Sequence, residues 1–455
     1  MTDNLLPHQL FGADFLVGKK AAILADDMGC GKTATVISAL DKLNAKRVLI
    51  LCPTVVKSNW YNEIRRWSKI DRQIDIVEGL PKQPLNDNGI SILSHASIVV
   101  PSASSGTKQV KHTRRLAAQG LSYILQKQWD VVVVDEAHEF RKLEAKRTQA
   151  LYGPDGVTSK TIYTWLLSGT IVVNSASDLY PMFYGPFKNL ISSDIGWWQW
   201  CNRYCDLVPD GFDGVKPVGI KNHVELANVL KPVILRRTLS SVGIKLPTLD
   251  ITPVLVAGEQ DALIKIMADL ESWSPKRLEI ALQSQDEVRD SAIARVRHAV
   301  GLAKAPAIVS YIRNLLSVDK SPTVCFYQHT DVMRYMFDQL NEYRCGVIQG
   351  GMAPKKLKHM ESSFQNKELD ILFIQTQAGG MGLTLTVGKR VVVAEIPWTA
   401  TYLMQAIKRV HRYTQKNPVT ADLMLLSGCW LDDIILKVVQ RKWRDEQTFL
   451  NLLTT

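Results

Sequence analysis

The sequence lacks the features that would place it in a membrane or outside the cell. No apolar run approaches the roughly 18 residues needed to span a bilayer. The first residues, "MTDNLLPHQLF", do not have the basic-then-apolar layout of a signal peptide. The seven cysteines are scattered, and only Cys201 and Cys205 lie close together, without a second pair at zinc-ligand spacing. We expect reduced thiols and a cytoplasmic or nucleoid-associated location, or a nuclear one in a eukaryote.

Acidic residues are outnumbered by basic ones. The 44 Asp and Glu residues against 55 Lys and Arg residues give a net charge of +11. Such an excess favours a polyanionic partner, because neutralising phosphates releases condensed counterions. No low-complexity linker interrupts the chain, and 455 residues are too many for one ordinary core, so two or three domains are expected.

Short apolar runs alternate with helix-like segments over most of the chain. A first set is "AAILAD", "RVLILCP", "ISILSHA", "WDVVVVDEA" and "YTWLLSGT", and a second set is "TVCFYQH", "CGVIQGG", "DILFIQT", "RVVVAEI" and "ADLMLL". Near-continuous apolar runs are typical of parallel strands that are covered on both faces. The sequence therefore predicts an α/β fold with parallel-sheet lobes at residues 1–175 and 316–430 and a helical insertion with its linker at 176–315.

The stretch "AAILADDMGCGKTATVISAL" has the order strand, glycine loop, helix. In that context, loop N–H groups and a helix N-terminus favour phosphate binding. Lys32 can reach the β- and γ-phosphates, and the Thr33 hydroxyl can ligate Mg²⁺. The generic phosphate-loop pattern requires a glycine where Asp26 stands, but Gly29 and Gly31 still allow the backbone to approach an anion. We predict a nucleotide site here.

Two carboxylates follow a four-valine strand in "VVVVDEAH". The carboxyl ends of parallel strands are where α/β sheets bind their ligands. Asp135 is suited to hold Mg²⁺ through water, and Glu136 is suited to orient and deprotonate an attacking water.

The order of "DDMGCGKT", "DEAH" and "SGT" resembles motifs I, II and III of superfamily two helicases and translocases. An acidic residue at position 26 is typical of their Swi/Snf-type branch. "LLPHQLFGADFL" resembles the Q motif, "QTQAGGMGLTLT" motif V and "QAIKRVHRYTQ" motif VI. "WWQWCNRYCDL" and "VILRRTLSSVGIKLP" are similar to the helical protrusion of the branch, and "RYCD" and "HRYTQ" to its annealing-helicase subfamily. The resemblance implies two tandem RecA-like lobes with helical protrusions between them and a closing C-terminal helix at 431–455.

The resemblance also implies site residues along the whole chain. Nucleotide binding is expected at Gln9, Gly29, Cys30, Gly31, Lys32, Thr33 and Gly382. Catalysis is expected from Lys32, Asp135, Glu136, Gln405, Arg409 and Arg412, with Mg²⁺ held by Thr33 and Asp135. DNA contacts are expected at Lys57, Ser94, His95, Gln328, His329 and Thr376. The spacing of Gln405, Arg409 and Arg412 predicts one face of a helix, from which the arginines could act as fingers toward the γ-phosphate.

Several residues allow two interpretations. Arg236 and Arg237 either contact DNA or brace the lobes. Residues 102–128 carry five basic residues and no acid, which fits either a DNA-contacting loop or a solvated one. Trp60 recurs with Ile64 at helical spacing, which favours a core position over base stacking. Glu395 stands where relatives often carry aspartate.

These features predict an ATP- and Mg²⁺-dependent translocase, acting as a monomer on duplex or branched DNA and away from membranes, that remodels or anneals DNA structures. Two alternatives stay open: a strand-separating helicase acting on DNA or RNA, and a nucleotide-gated DNA-binding module with little hydrolysis. A strand-displacement assay on tailed and forked duplexes distinguishes the translocase from the strand-separating helicase. The rate of ATP turnover with saturating duplex DNA distinguishes it from the binding module.

Overall fold

The structure is a computed structural model, and it describes residues 5–99, 108–172, 174–191, 195–209, 214–270, 291–376 and 382–454. The chain forms two compact units. Unit 1 comprises Met1–Asp206, Ile220–Gly243 and Gln447–Thr455, and unit 2 comprises Leu207–Gly219 and Ile244–Glu446.

Fifteen strands lie in the described part of the chain. They are β1 Ala21–Leu24, β2 Arg47–Cys52, β3 Ile74–Ile76, β4 Gly89–Ser94, β5 Trp129–Asp135, β6 Thr161–Leu167, β7 Asp206–Pro209, β8 Val215–Val218, β9 Ile234–Leu235, β10 Leu249–Val256, β11 Thr323–Tyr327, β12 Cys345–Ile348, β13 Ile371–Gln375, β14 Arg390–Val393 and β15 Val419–Leu426. Unit 1 contains a seven-stranded sheet in the order β3-β4-β2-β5-β6-β1-β9, and unit 2 a six-stranded sheet in the order β10-β15-β14-β11-β13-β12. All neighbours in both sheets are parallel. Strands β7 and β8 form a separate two-stranded sheet.

Helices connect the strands. The α-helices are α1 Pro7–Val17, α2 Lys32–Lys42, α3 Lys57–Trp67, α4 Lys108–Leu125, α5 Lys146–Tyr152, α6 Tyr180–Tyr184, α7 Trp197–Tyr204, α8 His223–Leu230, α9 Gln260–Leu270, α10 Ser291–Val318, α11 Thr330–Gln339, α12 Pro354–Gln365, α13 Ala400–Ile407 and α14 Trp430–Leu453. Short 3₁₀ turns occur at Thr54–Val56, His95–Ile98, Ala137–Phe140, Val157–Lys160, Ala176–Leu179 and Lys188–Leu190. None of the helices in the described ranges is long and apolar enough to cross a membrane.

The central strands are buried on both faces. Val131 to Val134 of β5 have no exposed surface, and neither have Val48 to Cys52 of β2. This burial explains why their sequences are near-continuous apolar runs instead of alternating ones. All ten apolar runs singled out in the sequence form strands, and the predicted fold class of two parallel-sheet α/β lobes is confirmed.

The segment 176–315 contains strands as well as helices. Within it, β9 joins the edge of the first sheet and β10 joins the edge of the second. Strand β9 has only two residues, too few for a recognisable apolar run. The domain boundaries drawn from the sequence remain predictions.

Two local expectations were wrong. Helix α13 ends at Ile407, so Arg409 and Arg412 lie in the turns that follow and do not share a helical face with Gln405. The last turn tightens at this point, because the Arg409 N–H bonds to the Ala406 carbonyl at 3.1 Å and the Val410 N–H bonds to the Ile407 carbonyl at 3.0 Å, three residues back instead of four. In addition, 108–125 of the predicted basic loop forms helix α4, while 101–107 lies outside the described residues.

Candidate nucleotide-binding site

The predicted nucleotide loop joins β1 to α2, and two of its glycines have a left-handed backbone. Gly29 and Gly31 have φ values of 97° and 82°, which favour glycine. A Cβ at Gly31 would lie 2.1 Å from Nε2 of Gln9, so space also requires glycine there. The Lys32 ammonium donates to the carbonyls of Asp26 at 2.7 Å and Asp27 at 3.4 Å. The loop therefore places a lysine at the start of a helix, which is an anion-binding geometry.

Helix α1 carries Gln9 against this loop. The Gln9 Oε1 accepts from the Leu6 N–H at 2.8 Å, and Nε2 donates to the Cys30 carbonyl at 3.4 Å. The His8 ring lies 2.9 Å from the same carbonyl. Gln9 thus lies next to Cys30 and Gly31, and its bond to the adenine edge stays a prediction.

The acids of the nucleotide loop form ion pairs. Arg237 makes a bidentate pair with the fully buried Asp26, and Arg236 pairs with Asp27 at 3.1 Å. The sequence left open contact with DNA or bracing of the lobes; in the structure both arginines instead pair with acids of the nucleotide loop, within unit 1.

The carboxyl end of β5 presents Asp135. Its Oδ2 accepts from the indole N–H of Trp60 at 2.9 Å, and its Oδ1 accepts from the Glu136 N–H at 3.0 Å. The Asp135 carbonyl bonds to the His95 ring at 2.8 Å. Burial, with the neighbouring Glu136 carboxylate, raises the pKa of Asp135 to about 6, while Trp60 and Lys32 oppose the shift.

Glu136 adopts a strained backbone at the start of the next turn. Its φ of 50° lies in the left-handed region, where few residues with side chains are found. His138, two residues on, places Nδ1 at 3.4 Å from Glu136 Oε2 and 2.9 Å from Ser168 Oγ. The Ser168 hydroxyl also donates to the Thr170 carbonyl at 2.5 Å and accepts from the Thr170 N–H at 3.1 Å. The "DEAH" and "SGT" segments are thereby linked through one histidine.

The residues present fit ATP and Mg²⁺. Lys32, the loop N–H groups and the helix N-terminus suit phosphates, while the Thr33 hydroxyl and the Asp135 carboxylate are oxygen ligands. Among the residues that the structure describes, no cluster of three or more His, Cys, Asp or Glu could hold a metal alone. The two oxygen ligands named above suit Mg²⁺, which keeps several waters and is completed by substrate phosphates.

In unit 2, a buried carboxylate organises the end of β11. Glu395 Oε2 accepts from the N–H groups of Gln328 at 2.9 Å and His329 at 3.0 Å. Its Oε1 bonds to the His329 ring at 2.6 Å. Burial alone would raise the pKa of Glu395, but the bonds and charge of His329 outweigh it, and the pKa lies below its ordinary value. The Thr376 hydroxyl donates to the Tyr327 carbonyl at 3.0 Å.

The motif VI segment packs onto the segment after the glycines of motif V. Arg412 donates to the Leu383 carbonyl at 3.1 Å and to the Thr384 hydroxyl at 2.8 Å. Arg409 and Gln405 are both buried. Gly382, with φ of 71°, is exposed next to this segment. The structure thus brings Arg412 close to Leu383 and Thr384, which directly follow Gly382.

Comparison with known families settles the affiliation. Residues 8–256 match the SNF2-related domain family, and residues 305–414 match the helicase conserved C-terminal domain family. The chain belongs to the SNF2 family.

Relatives of this SNF2 chain cover nearly all of it. It is similar to the bovine DNA annealing helicase and endonuclease ZRANB3 (25% identity, 98% of this chain, 41% of the relative). It is also similar to the Caenorhabditis elegans homolog of SWI/SNF-related matrix-associated actin-dependent regulator of chromatin subfamily A-like protein 1 (26% identity, 97% of this chain, 61% of the relative). A solved structure, the Sulfolobus solfataricus SWI2/SNF2 ATPase core in complex with dsDNA, matches at 18% identity with a TM-score of 0.44, over 99% of this chain and 94% of that one. The chain thus spans 41% and 61% of the length of these two curated relatives.

Three DNA contacts expected in unit 1 of the SNF2 chain are buried side chains with internal partners. The Lys57 ammonium bonds to Glu78 at 2.7 Å and to the Val77 carbonyl at 3.1 Å. Ser94 bonds to Ser97 at 2.8 Å. Burial lowers the pKa of His95 to about 4, which keeps its ring neutral against Asp135. Their contact with DNA, like that of Gln328, His329 and Thr376, stays a prediction.

Sequence reasoning missed three contributors to the site of this SNF2 chain. Trp60 is a core residue, as expected, but its N–H also holds Asp135. His138 links two motifs, and Arg237 pairs with Asp26. The sequence did contain a signal for the pairing of Arg237. Asp26 directly follows an apolar strand, so its carboxylate is expected to be buried and to need a cation beside it. No pattern in the sequence indicates the role of Trp60.

Proposed function

We propose that this chain is a DNA-dependent ATPase and translocase of the Swi/Snf type. It hydrolyses ATP with Mg²⁺ to track along duplex DNA and to remodel or anneal DNA structures. The observation that supports this proposal most is the placement of Lys32 after β1 and of Asp135 and Glu136 at the end of β5, where the Lys32 charge lowers the pKa of Asp135 and His138 links Glu136 to Ser168.

Each residue of this set has one task in the proposal. Lys32 exchanges its two carbonyl partners for phosphate oxygens, which keeps its ammonium group paired in both states. Bound Mg²⁺, ligated by Thr33 and Asp135, would neutralise phosphate charge. Glu136 accepts a proton from the attacking water, and its strained backbone fixes the direction of its side chain. His138 passes a change at Glu136 to Ser168.

The second half of the machinery is proposed to come from unit 2. Arg409 and Arg412 would stabilise the charge that spreads over the transferred phosphate, with Gln405 beside the attacking water. Movement along DNA then requires that ATP bind one conformation of the chain better than another, because equal affinity would shift no population.

The test compares ATP turnover with single-stranded, duplex and forked DNA and with RNA. Duplex or forked DNA is expected to stimulate the wild-type rate most. Lys32→Ala and Glu136→Gln should abolish it, while matched variants at exposed positions, Lys20→Ala and Glu144→Gln, should leave it unchanged. Full turnover in Lys32→Ala would refute the site assignment.

A displacement and annealing assay completes the test. The proposal predicts ATP-driven annealing or remodelling of a forked substrate without displacement of a strand from a tailed duplex. Displacement would instead support a strand-separating helicase, and absence of turnover at saturating duplex would support a nucleotide-gated binding module. A monomeric motor is also proposed, which light scattering on the DNA-bound chain would check. Its location would be wherever the DNA substrate is: cytoplasm, nucleoid or nucleus.

A further inference from the structure

Strand register brings two arginines to the nucleotide loop. Strand β9 pairs in parallel with β1, with Leu24 opposite Leu235. The pairing continues beyond both strands, since the Ala25 N–H bonds to the Leu235 carbonyl at 2.8 Å and the Asp27 N–H to the Arg237 carbonyl at 2.9 Å. Residues 236 and 237 therefore run beside residues 25–27, and the two arginines meet the two acids.

The inner pair is fully buried. Asp26 has 0% exposure and Arg237 has 5%. The Arg237 backbone N–H and Nε each donate to Asp26 Oδ1 at 3.0 Å, and Nη2 bonds to Oδ2. The remaining nitrogen, Nη1, donates to the His8 carbonyl of α1. A Cβ at Gly12 would lie 2.8 Å from Arg237 Nη2, so the guanidinium packs directly on α1, the helix that carries Gln9.

The outer pair joins the neighbouring residues, Arg236 and Asp27, through one contact. Arg236 Nη2 lies 3.1 Å from Asp27 Oδ1, and Nη1 donates to the Ala25 carbonyl at 2.9 Å. Arg236 is 3% exposed. Neither guanidinium is available on the surface for a DNA phosphate.

The position of the two acids creates an electrostatic problem that the arginines solve. The carbonyls of Asp26 and Asp27 accept from the Lys32 ammonium, the group expected to bind the β- and γ-phosphates. The side chains of these same two loop residues carry carboxylates, which would repel a bound polyphosphate, and more strongly in a buried site than in water. Each guanidinium cancels one of these charges.

Resting on the proposed ATPase function, we propose that Arg237 and Arg236 are positioning residues of the ATP site. They neutralise Asp26 and Asp27 so that ATP can bind, and Arg237 also fixes α1 and Gln9 against the loop. This assigns the two arginines to nucleotide affinity and not to DNA binding.

The two ends of one ion pair then have opposite effects. Arg237→Gln leaves the Asp26 charge uncancelled, and the Kd for Mg·ATP should rise on the order of tenfold, as expected for a like charge at the edge of a partly buried site. Asp26→Asn leaves the Arg237 cation in place, and the Kd should stay the same or fall. The double variant Asp26→Asn/Arg237→Gln, which removes both charges, should bind Mg·ATP more tightly than Arg237→Gln alone.

The Kd for Mg·ATP is measured by calorimetry on the full chain. The affinity for duplex DNA is measured by fluorescence anisotropy, and circular dichroism checks that each variant folds. Arg203→Gln, at an exposed arginine of unit 1 paired with Glu225, is the matched control and should change neither affinity. Should Arg237→Gln not fold, Arg236→Gln and Asp27→Asn test the same opposite signs at the outer pair.

Two results would overturn the proposal. Equal weakening of Mg·ATP binding by Arg237→Gln and Asp26→Asn would show a brace without charge neutralisation. Weakened DNA binding with unchanged Mg·ATP affinity in Arg237→Gln would show a DNA contact. These outcomes are distinct from failure of the proposed function, which would show as absence of DNA-stimulated turnover in the wild type, since Mg·ATP binding is measured without turnover.

Discussion

The hydrogen bond from Trp60 to Asp135 should set the Mg²⁺ requirement of the ATPase. Trp60→Phe keeps an aromatic ring in the core and removes the N–H that lies 2.9 Å from Asp135 Oδ2. A hydrogen bond to a charged group contributes about 1.5–3 kcal/mol. At about 1.4 kcal/mol per factor of ten, its loss corresponds to roughly 10- to 100-fold, the range found when a partner of a metal-ligating residue is removed. We therefore expect the Mg²⁺ concentration for half-maximal DNA-stimulated turnover to rise by that factor.

The chain offers a closely matched control in Trp165. This tryptophan belongs to the same buried core cluster as Trp60, and it has no exposed surface. Its indole nitrogen is buried without a hydrogen-bond partner among the described residues. Trp165→Phe thus makes the same change in ring size without removing a bond to a carboxylate. Titrating Mg²⁺ at saturating ATP and duplex DNA compares the two variants. Equal shifts in both variants, or no shift in Trp60→Phe, would refute the reasoning.

Three further predictions concern single side chains. The pKa of Asp135 is raised from 3.8 to about 6, so the folded state holds this proton more tightly than the unfolded state. The Asp135 carboxyl therefore lowers the free energy of unfolding increasingly as the pH rises from about 4 to about 6. Asp135→Asn should raise the free energy of unfolding of the ligand-free chain by up to about 3 kcal/mol at pH 8 and leave it unchanged at pH 3, as measured by urea unfolding. The variant should also abolish hydrolysis. Equal stabilisation at both pH values would contradict this prediction. The buried Lys304 is 1% exposed and lies 2.9 Å from Asp432. Lys304→Met should lower the free energy of unfolding by about 3–5 kcal/mol, and the double variant Lys304→Met/Asp432→Leu should recover most of that loss. A double variant as unstable as Lys304→Met would show a role of Lys304 beyond charge pairing. Arg409→Ala should lower kcat on the order of 10³-fold with unchanged duplex affinity; a loss confined to DNA affinity would remove Arg409 from catalysis.

The strands and the nucleotide loop were predictable because local sequence determines them. Four consecutive valines before Asp135 leave few alternatives to a buried parallel strand, and Lys32 follows a glycine loop at a helix start. Long-range contacts were not predictable in the same way. The Arg409 carbonyl meets the N–H of Leu385, and the Glu395 carboxylate meets two N–H groups and the ring of Gln328 and His329, all from distant parts of the sequence.

The pairing of β9 with β1 also has a consequence during synthesis. Asp26 and Arg237 are 211 residues apart, so at about 5–20 residues per second the ribosome adds the arginine roughly 10–40 s after the aspartate. Until then, β1 has an open edge and Asp26 has no cation beside it. A nascent chain, or a fragment that stops at residue 175, is therefore expected to aggregate more readily than the finished chain. If ATP binds only after β9 has paired with β1, ATP would stabilise the fully folded chain over the chain that lacks this pairing, by mass action.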